Sequence, residues 1–285
     1  MLAHLLMLLL VAAPPATPRA PSPSYLVFSH DGAWIALDVS TGKPERIRVP
    51  STYPATTLTV SRDGQHIVYT AYDQGALNDL LYRWDWKAKS PPVRIGNAEG
   101  FHADPAVSPD GQWVYFAHHP KKGGPPGQHE ERANAQLYRV RMDGTQLTAL
   151  TNELGCHLRP SIRPDGDVIY VHTPCSVNTK TLHLMRAGQP ASGPLASGDL
   201  NEPVYSPDGK SLVFVERDGA DVLLKERTSA ERPPRILHKL RLREGLSARV
   251  QFGAKAQELY FQDAESVSRL VGRKVTRLFS MEDVP

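Results

Sequence analysis

Short apolar runs alternate along this chain with polar reversals that contain glycine. One copy reads Ala106-Val107, then Ser108-Pro109-Asp110-Gly111, then Trp113-Val114-Tyr115-Phe116. Proline presets φ at the second position of a tight turn, aspartate bonds its own downstream backbone, and glycine accepts positive φ without steric cost, so the four residues reverse the chain. The flanking runs are rich in Val, Ile, Tyr and Phe, which suits paired strands. Closely similar turns stand at Ser61-Arg62-Asp63-Gly64, Arg163-Pro164-Asp165-Gly166 and Ser206-Pro207-Asp208-Gly209, with weaker copies at Ser29-His30-Asp31-Gly32 and Phe252-Gly253-Ala254-Lys255. A third run follows in most copies, as in Leu81-Tyr82-Arg83-Trp84 or Leu137-Tyr138-Arg139-Val140. Then come a second glycine turn such as Asp143-Gly144 and a fourth run, Gln146 to Leu150. Each repeat therefore predicts four antiparallel strands.

From Asp63 onward the turns succeed one another at 47, 55, 43 and 47 residues, against roughly 40–50 for a four-stranded propeller blade. The chain is accordingly expected to be an all-β, six-bladed β-propeller of four-stranded antiparallel blades. The 55-residue interval holds an insertion, His118 to Ala135, rich in Gly, Pro and charge. The first interval, 32 residues, is about one strand short. Either the first Asp-Gly belongs to a later turn of its blade, or that blade is incomplete and borrows a strand from the other end of the chain.

Residues 1–20 fall outside the repeats. Leu2 to Ala13 is apolar apart from His4 and is followed by small residues and prolines, which suits a secretory signal peptide and is too short to span a bilayer. Residues 21–24 are expected to be a linker and 25–285 one propeller domain, periplasmic or secreted, with no integral membrane segment once the signal is removed. The net charge of +3 is small and scattered, and no basic run is interleaved with aromatics; nothing points to a nucleic-acid partner. Trp34, Trp84, Trp86 and Trp113 read as packing residues.

The pattern x-P-x-x-S-P-D-G, seen at Asp104 to Gly111 and at Glu202 to Gly209, resembles the repeat of the TolB family. The resemblance spans the propeller and implies that fold. In that family the propeller is periplasmic and grips the peptidoglycan-associated lipoprotein. Similar propellers form the lids of dipeptidyl and prolyl peptidases and the body of oligogalacturonide lyases. The sequence departs from all three: it shows neither TolB's N-terminal α/β domain nor a hydrolase domain with a G-x-S-x-G elbow.

Candidate chemistry is sparse. Gly209-Lys210-Ser211 ends like a phosphate loop, but Val204 replaces its first glycine and a strand follows. His129-Glu130-Glu131 begins like a zinc-protease helix without the second histidine, and the surrounding insertion reads as a solvated loop. More informative is the position six residues before each turn aspartate, where an innermost strand begins near the central channel. It holds Thr57, Asp104, Arg159, Glu202 and, in the weakest copy, Arg249, with His102 and His157 two residues earlier in consecutive blades. Read together they make a charged, histidine-bearing channel mouth; read separately they are solvated residues that pair with neighbouring blades, each pair contributing about 0–1 kcal/mol. Cys156 and Cys175, the only cysteines, stand symmetrically about the Asp165-Gly166 turn, which predicts a disulfide across one hairpin in an oxidising compartment. The expectation is thus a monomeric, exported, non-catalytic propeller that binds an envelope protein, peptide or small ligand at the mouth, without catalytic residues, metal or cofactor. The competing class is a metal-assisted lyase or hydrolase acting on a saccharide.

Overall fold

A computed structural model describes residues 24–30, 32–96, 100–120, 134–174, 179–229, 231–242, 248–264 and 266–284. The proposed signal peptide, most of the linker, the greater part of the His118 to Ala135 insertion and Cys175 lie outside the described residues.

The turn chemistry expected from the repeats is present in detail. In three copies the serine hydroxyl of Ser61, Ser108 and Ser206 donates to the carboxylate two residues on, Asp63, Asp110 and Asp208, at 2.5, 2.5 and 2.6 Å. The same hydroxyl accepts the backbone N–H of His66, Trp113 and Ser211 at 2.9 Å. Gly64, Gly111 and Gly209 have φ of 73°, 72° and 70°. These serines are buried, so the hydroxyl satisfies polar groups that water does not reach. In the remaining good copy Arg163 replaces serine and its guanidinium bridges Asp165 and Asp167 at 3.1 and 3.2 Å.

The ladders between the described strands are antiparallel and form a β-propeller arrangement, with one isolated parallel bridge between Ala135 and Cys156. One three-stranded sheet comprises β1 (Tyr25–His30), β2 (Ala33–Asp38) and β3 (Pro44–Ile47). β4 (Ala55–Val60), β5 (Ile67–Asp73), β6 (Asn78–Trp84) and β7 (Val93–Arg94) form the next. β8 (Gly100–Val107), β9 (Trp113–Pro120), β10 (Gln136–Arg141) and β11 (Thr148–Ala149) form another. A seven-stranded sheet runs β12 (Cys156–Ile162), β13 (Val168–Thr173), β14 (Lys180–Met185), β15 (Ala191–Tyr205), β16 (Leu212–Asp218), β17 (Asp221–Arg227) and β18 (Arg235–Leu240). The last holds β19 (Val250–Phe252), β20 (Glu258–Gln262), β21 (Ser266–Val271) and β22 (Lys274–Ser280).

This corrects the expectation of six separate four-stranded blades. Among the described residues there are four sheets of four or more strands and one of three. The reason lies in β15, which pairs with β14 as far as Gly198 and with β16 from Asp199 onward. Gly198, with φ 152°, carries the strand from one partner to the other without a break. Ile169, Val171 and Leu182 nonetheless pack against Leu200, Leu212 and Phe214, so the sheet folds back on itself at that strand.

Stability comes from apolar faces packed between neighbouring sheets. Val68 and Leu81 meet Val114, Phe116 and Val140, and Leu26, Phe28, Ile35 and Leu37 meet Tyr260, Val267 and Met281, which closes the ring between the first and last sheets. Arg46 adds a tie by donating to the Val284 carbonyl at 2.9 Å.

The first sheet resolves the short opening interval. Ser24 N–H donates to Arg62 O at 2.9 Å, and the Tyr25 ring lies against Gly64, so β1 starts at the end of the ring where the Ser61 to Gly64 turn joins β4 to β5. Trp34 Nε1 donates to Ala55 O at 2.9 Å, which places the start of β2 at the opposite end. β1 therefore runs in the direction of β5 and takes the second position of its sheet. The first Asp-Gly belongs to a later turn, and among the described residues no strand stands inside β1.

Candidate functional site

The inner strands surround an open cavity of about 480 Å³ lined by residues of β1, β2, β4, β8, β12, β15 and β19 and their approaches. Asp104, Arg159, Glu202 and Arg249 all line it, together with Thr57. Four of the six residues expected at the mouth thus line one cavity, although 43 to 55 residues separate neighbours in sequence.

Three of the four share a backbone feature. Asp104, Arg159 and Glu202 have φ of 51°, 52° and 51°, the left-handed region that non-glycine residues seldom enter, at a cost of about 1–2 kcal/mol each. Each sits at a register shift, between Ala103 and Ala106, Leu158 and Ser161, and Asn201 and Val204, where one extra residue bulges from the inner strand. Each also precedes a proline, Pro105, Pro160 and Pro203, which has no N–H to contribute to the interrupted ladder. The bulge turns the charged side chain toward the channel.

The charges interlock. Arg159 is ion-paired with Glu202, and Arg159 N–H donates to Asp104 Oδ2 at 3.2 Å. Arg249 is held differently. Its guanidinium lies 4.7 Å from the Trp34 ring centre and reaches the Leu58 carbonyl at 3.5 Å, and it makes no ion pair among the described residues. Burial, reinforced by the like charge of Arg159, pushes its pKa down to about 10, against the opposing pull of Asp104. A crowded cation with a weak hydrogen bond and a neighbouring indole face has the charge and the spare donors that pair with a carboxylate.

His102 and His157 do not reach the channel. They are 4% and 0% exposed, and their Nδ1 atoms lie 3.0 Å from Asp79 O and 2.8 Å from Ala135 O. In an unbroken strand residues two apart share a face; the intervening bulge breaks that period and sends these imidazoles outward. His102 packs on Phe116 and His118, with ring centres 5.2 and 5.1 Å apart, and His157 begins a ladder with His172 and His183. Among the described residues no three His, Cys, Asp or Glu side chains come together to hold a metal ion. Trp34 and Trp86 are buried packing residues as expected, but Trp34 also flanks Arg249, a role its sequence context does not signal.

Cys156 is buried and opens β12. Its partner in the ladder is Thr173, two residues short of Cys175: the pairing is already one residue off the symmetric hairpin at Ile162 and Val168, and the bulge at Arg159 shifts it by one more. A disulfide therefore requires a diagonal rather than a directly opposed pair. Protein isolated from an oxidising compartment and denatured without reductant is expected to show no free thiol by Ellman titration; two thiols per chain would refute the pairing.

No protein-family model matches the chain. An uncharacterized protein of Agrobacterium fabrum is 26% identical over 219 residues, 66% of this chain and 67% of its own length. The Tol-Pal system protein TolB of Francisella tularensis is 28% identical over 166 residues, 58% of this chain and 35% of the relative. The chain thus matches about a third of that TolB. Among solved structures, TolB from Acinetobacter baumannii superposes with TM-score 0.66 at 18% identity, covering 85% of this chain and 57% of that one. An oligogalacturonate lyase in complex with manganese gives 0.57 at 14%, covering 89% and 73%. Inner strands around a charged channel define a β-propeller. Within that class the chain is a TolB-like propeller.

Proposed function

We propose that this is an exported, non-catalytic propeller that binds a carboxylate-bearing protein, peptide or small envelope ligand in its channel, with Asp104, Arg159, Glu202 and Arg249 as the binding residues. The observation that carries this reading is the threefold recurrence of a strained, left-handed charged residue before proline, each aimed into one cavity. Strain repeated at equivalent positions is retained where the side chain's placement matters more than backbone comfort. The similarity to TolB, a Tol-Pal system protein by its name, is the support for an envelope role. The competing reading, a metal-assisted saccharide lyase, draws on the likeness to the manganese-bound lyase. Here the two channel carboxylates are engaged by Arg159, an arrangement that suits recognition of charge better than ligation of a cation.

The test compares Arg159→Ala and Glu202→Ala with the unaltered protein, reading thermal stability and retention of envelope partners on immobilised protein. Loss of a specific partner with the melting temperature held to within about 2 °C, the effect of a change under 1 kcal/mol in a chain this size, is the expected result. Intact retention with a lowered melting temperature would leave these residues only the task of joining neighbouring strands. Metal analysis of untagged protein separates the second reading: stoichiometric manganese or zinc would favour the lyase.

A further inference from the structure

The inner edge of β1 is finished in an unusual way. Val27 N–H donates to Gln251 Oε1 at 3.2 Å, and Gln251 Nε2 donates to Val27 O at 2.6 Å. Two residues on, Ser29 N–H donates to Gln262 Oε1 at 3.2 Å, and Gln262 Nε2 donates back to Ser29 O at 2.5 Å. Two side-chain amides from the last sheet thus offer alternate residues of β1 the donor–acceptor pair that a neighbouring strand offers. β1 occupies the second position of a blade with no described strand inside it, so its free edge faces the channel, and the cavity runs along it past Tyr25, Val27 and Ser29.

The charges around the ring point to the same place. The charged positions that line the channel run Asp104, Arg159, Glu202, Arg249; Arg159 is ion-paired with Glu202, whereas Arg249 feels Asp104 but forms no ion pair among the described residues. The position next to Arg249 on the ring is where an inner strand of the first sheet would stand. An acidic side chain there would continue the alternation.

We propose that the inner edge of β1 receives an extended segment of a partner protein, which adds as an antiparallel inner strand, displaces the Gln251 and Gln262 amides, and sets an acidic side chain against Arg249. This rests on the channel being a ligand site, and it names the ligand class: a peptide strand carrying Asp or Glu, recognised through its backbone as well as its charge.

The probe is a capped synthetic peptide with the sequence of Asp199–Tyr205, the chain's own inner-strand pattern with glutamate before proline. It is titrated into the whole isotope-labelled protein while amide signals and hydrogen exchange are followed at Val27 and Ser29, with Leu26 and Phe28, which face β2, as internal controls. The peptide is expected to slow exchange at Val27 and Ser29 alone. Replacing its glutamate by glutamine should weaken binding about tenfold, the loss of one charge-assisted hydrogen bond, and N-methylation of the backbone amides that face β1 should weaken it at least as much. Equal binding of the N-methylated peptide would overturn strand addition. So would protection of Val27 and Ser29 equal to that of Leu26 and Phe28 without peptide: present at all dilutions, it assigns the edge to the chain's own residues, and growing with protein concentration, it assigns it to a second copy. Glutarate separates this inference from the reading beneath it. If glutarate perturbs the signals around Arg249 and the peptide does not bind, the channel binds carboxylates but not strands; if neither binds, both fail.

Discussion

Acidification from pH 6.5 to about 4 is expected to lower the melting temperature steeply, and His102 and His118 are the main reason. Both are 4% exposed. Burial pushes each imidazole down from 6.5 to about 4, with Arg94 and His119 also opposing a charge on His102, and His102 and His119 opposing one on His118. The Asp79 carbonyl at His102 pulls the other way without reversing the shift. His157 and His183 are lowered in the same direction, again chiefly by burial. Because the folded pKa lies below the unfolded one, the unfolded chain binds more protons between the two values. Stability is therefore complete above pH 6.5 and is lost as pH falls toward 4. A shift of this size corresponds to about 3 kcal/mol for one independent histidine, or very roughly 5–10 °C in a chain of this length. The two rings lie 5.1 Å apart, so the second proton is resisted more than the first. Thermal unfolding at half-unit pH steps checks this, with His118→Leu as the control, since its Nδ1 has no hydrogen-bond partner among the described residues. That variant should flatten the dependence markedly; a flat profile in the unaltered protein would show that the imidazoles are not buried in solution.

The same histidines show where sequence reading stops. The reversals were legible because Ser-Pro-Asp-Gly is a local device: its bonds join residues at most five apart, so the motif dictates its own geometry. The positions of Asp104, Arg159, Glu202 and Arg249 around one channel followed from the repeat register alone. The direction of His102 and His157 did not, because it depends on a bulge between them and the turn. That bulge had a sequence signal in Pro105 and Pro160, prolines inside otherwise strand-like runs, though the count from the turn treated the strand as regular. The number of separate sheets was beyond reach for another reason. Whether two repeats part or stay hydrogen-bonded depends on the path of β15 through Gly198, which no turn motif marks. Nor does composition reveal that Gln251 and Gln262 complete the edge of β1, since their partners lie 224 and 233 residues away.

Replacing Arg249 by methionine is expected to weaken carboxylate binding strongly while leaving the fold as stable or slightly more so, a combination that marks a ligand site. Charged residues that hold a fold together lower stability when removed, because a partner is left unsatisfied. Arg249 has little to leave behind: a 3.5 Å contact to a carbonyl and the Trp34 face, with burial and the repulsion of Arg159 outweighing the attraction of Asp104. Methionine keeps the apolar stem that lies beside Trp34 and removes the desolvated charge, for an expected gain of about 1 kcal/mol. The ligand loses a channel cation that, unlike Arg159, forms no ion pair among the described residues, which should weaken carboxylate binding about thirtyfold or more, the effect of about 2 kcal/mol. The measurement is thermal unfolding with and without millimolar glutarate, at matched ionic strength in chloride. The unaltered protein should be raised by the dicarboxylate, as any ligand of the native state raises it, and Arg249→Met should start at or above the same melting temperature and fail to respond. A variant that melts several degrees lower yet still responds to glutarate would return Arg249 to the packing of the ring and move the binding site elsewhere.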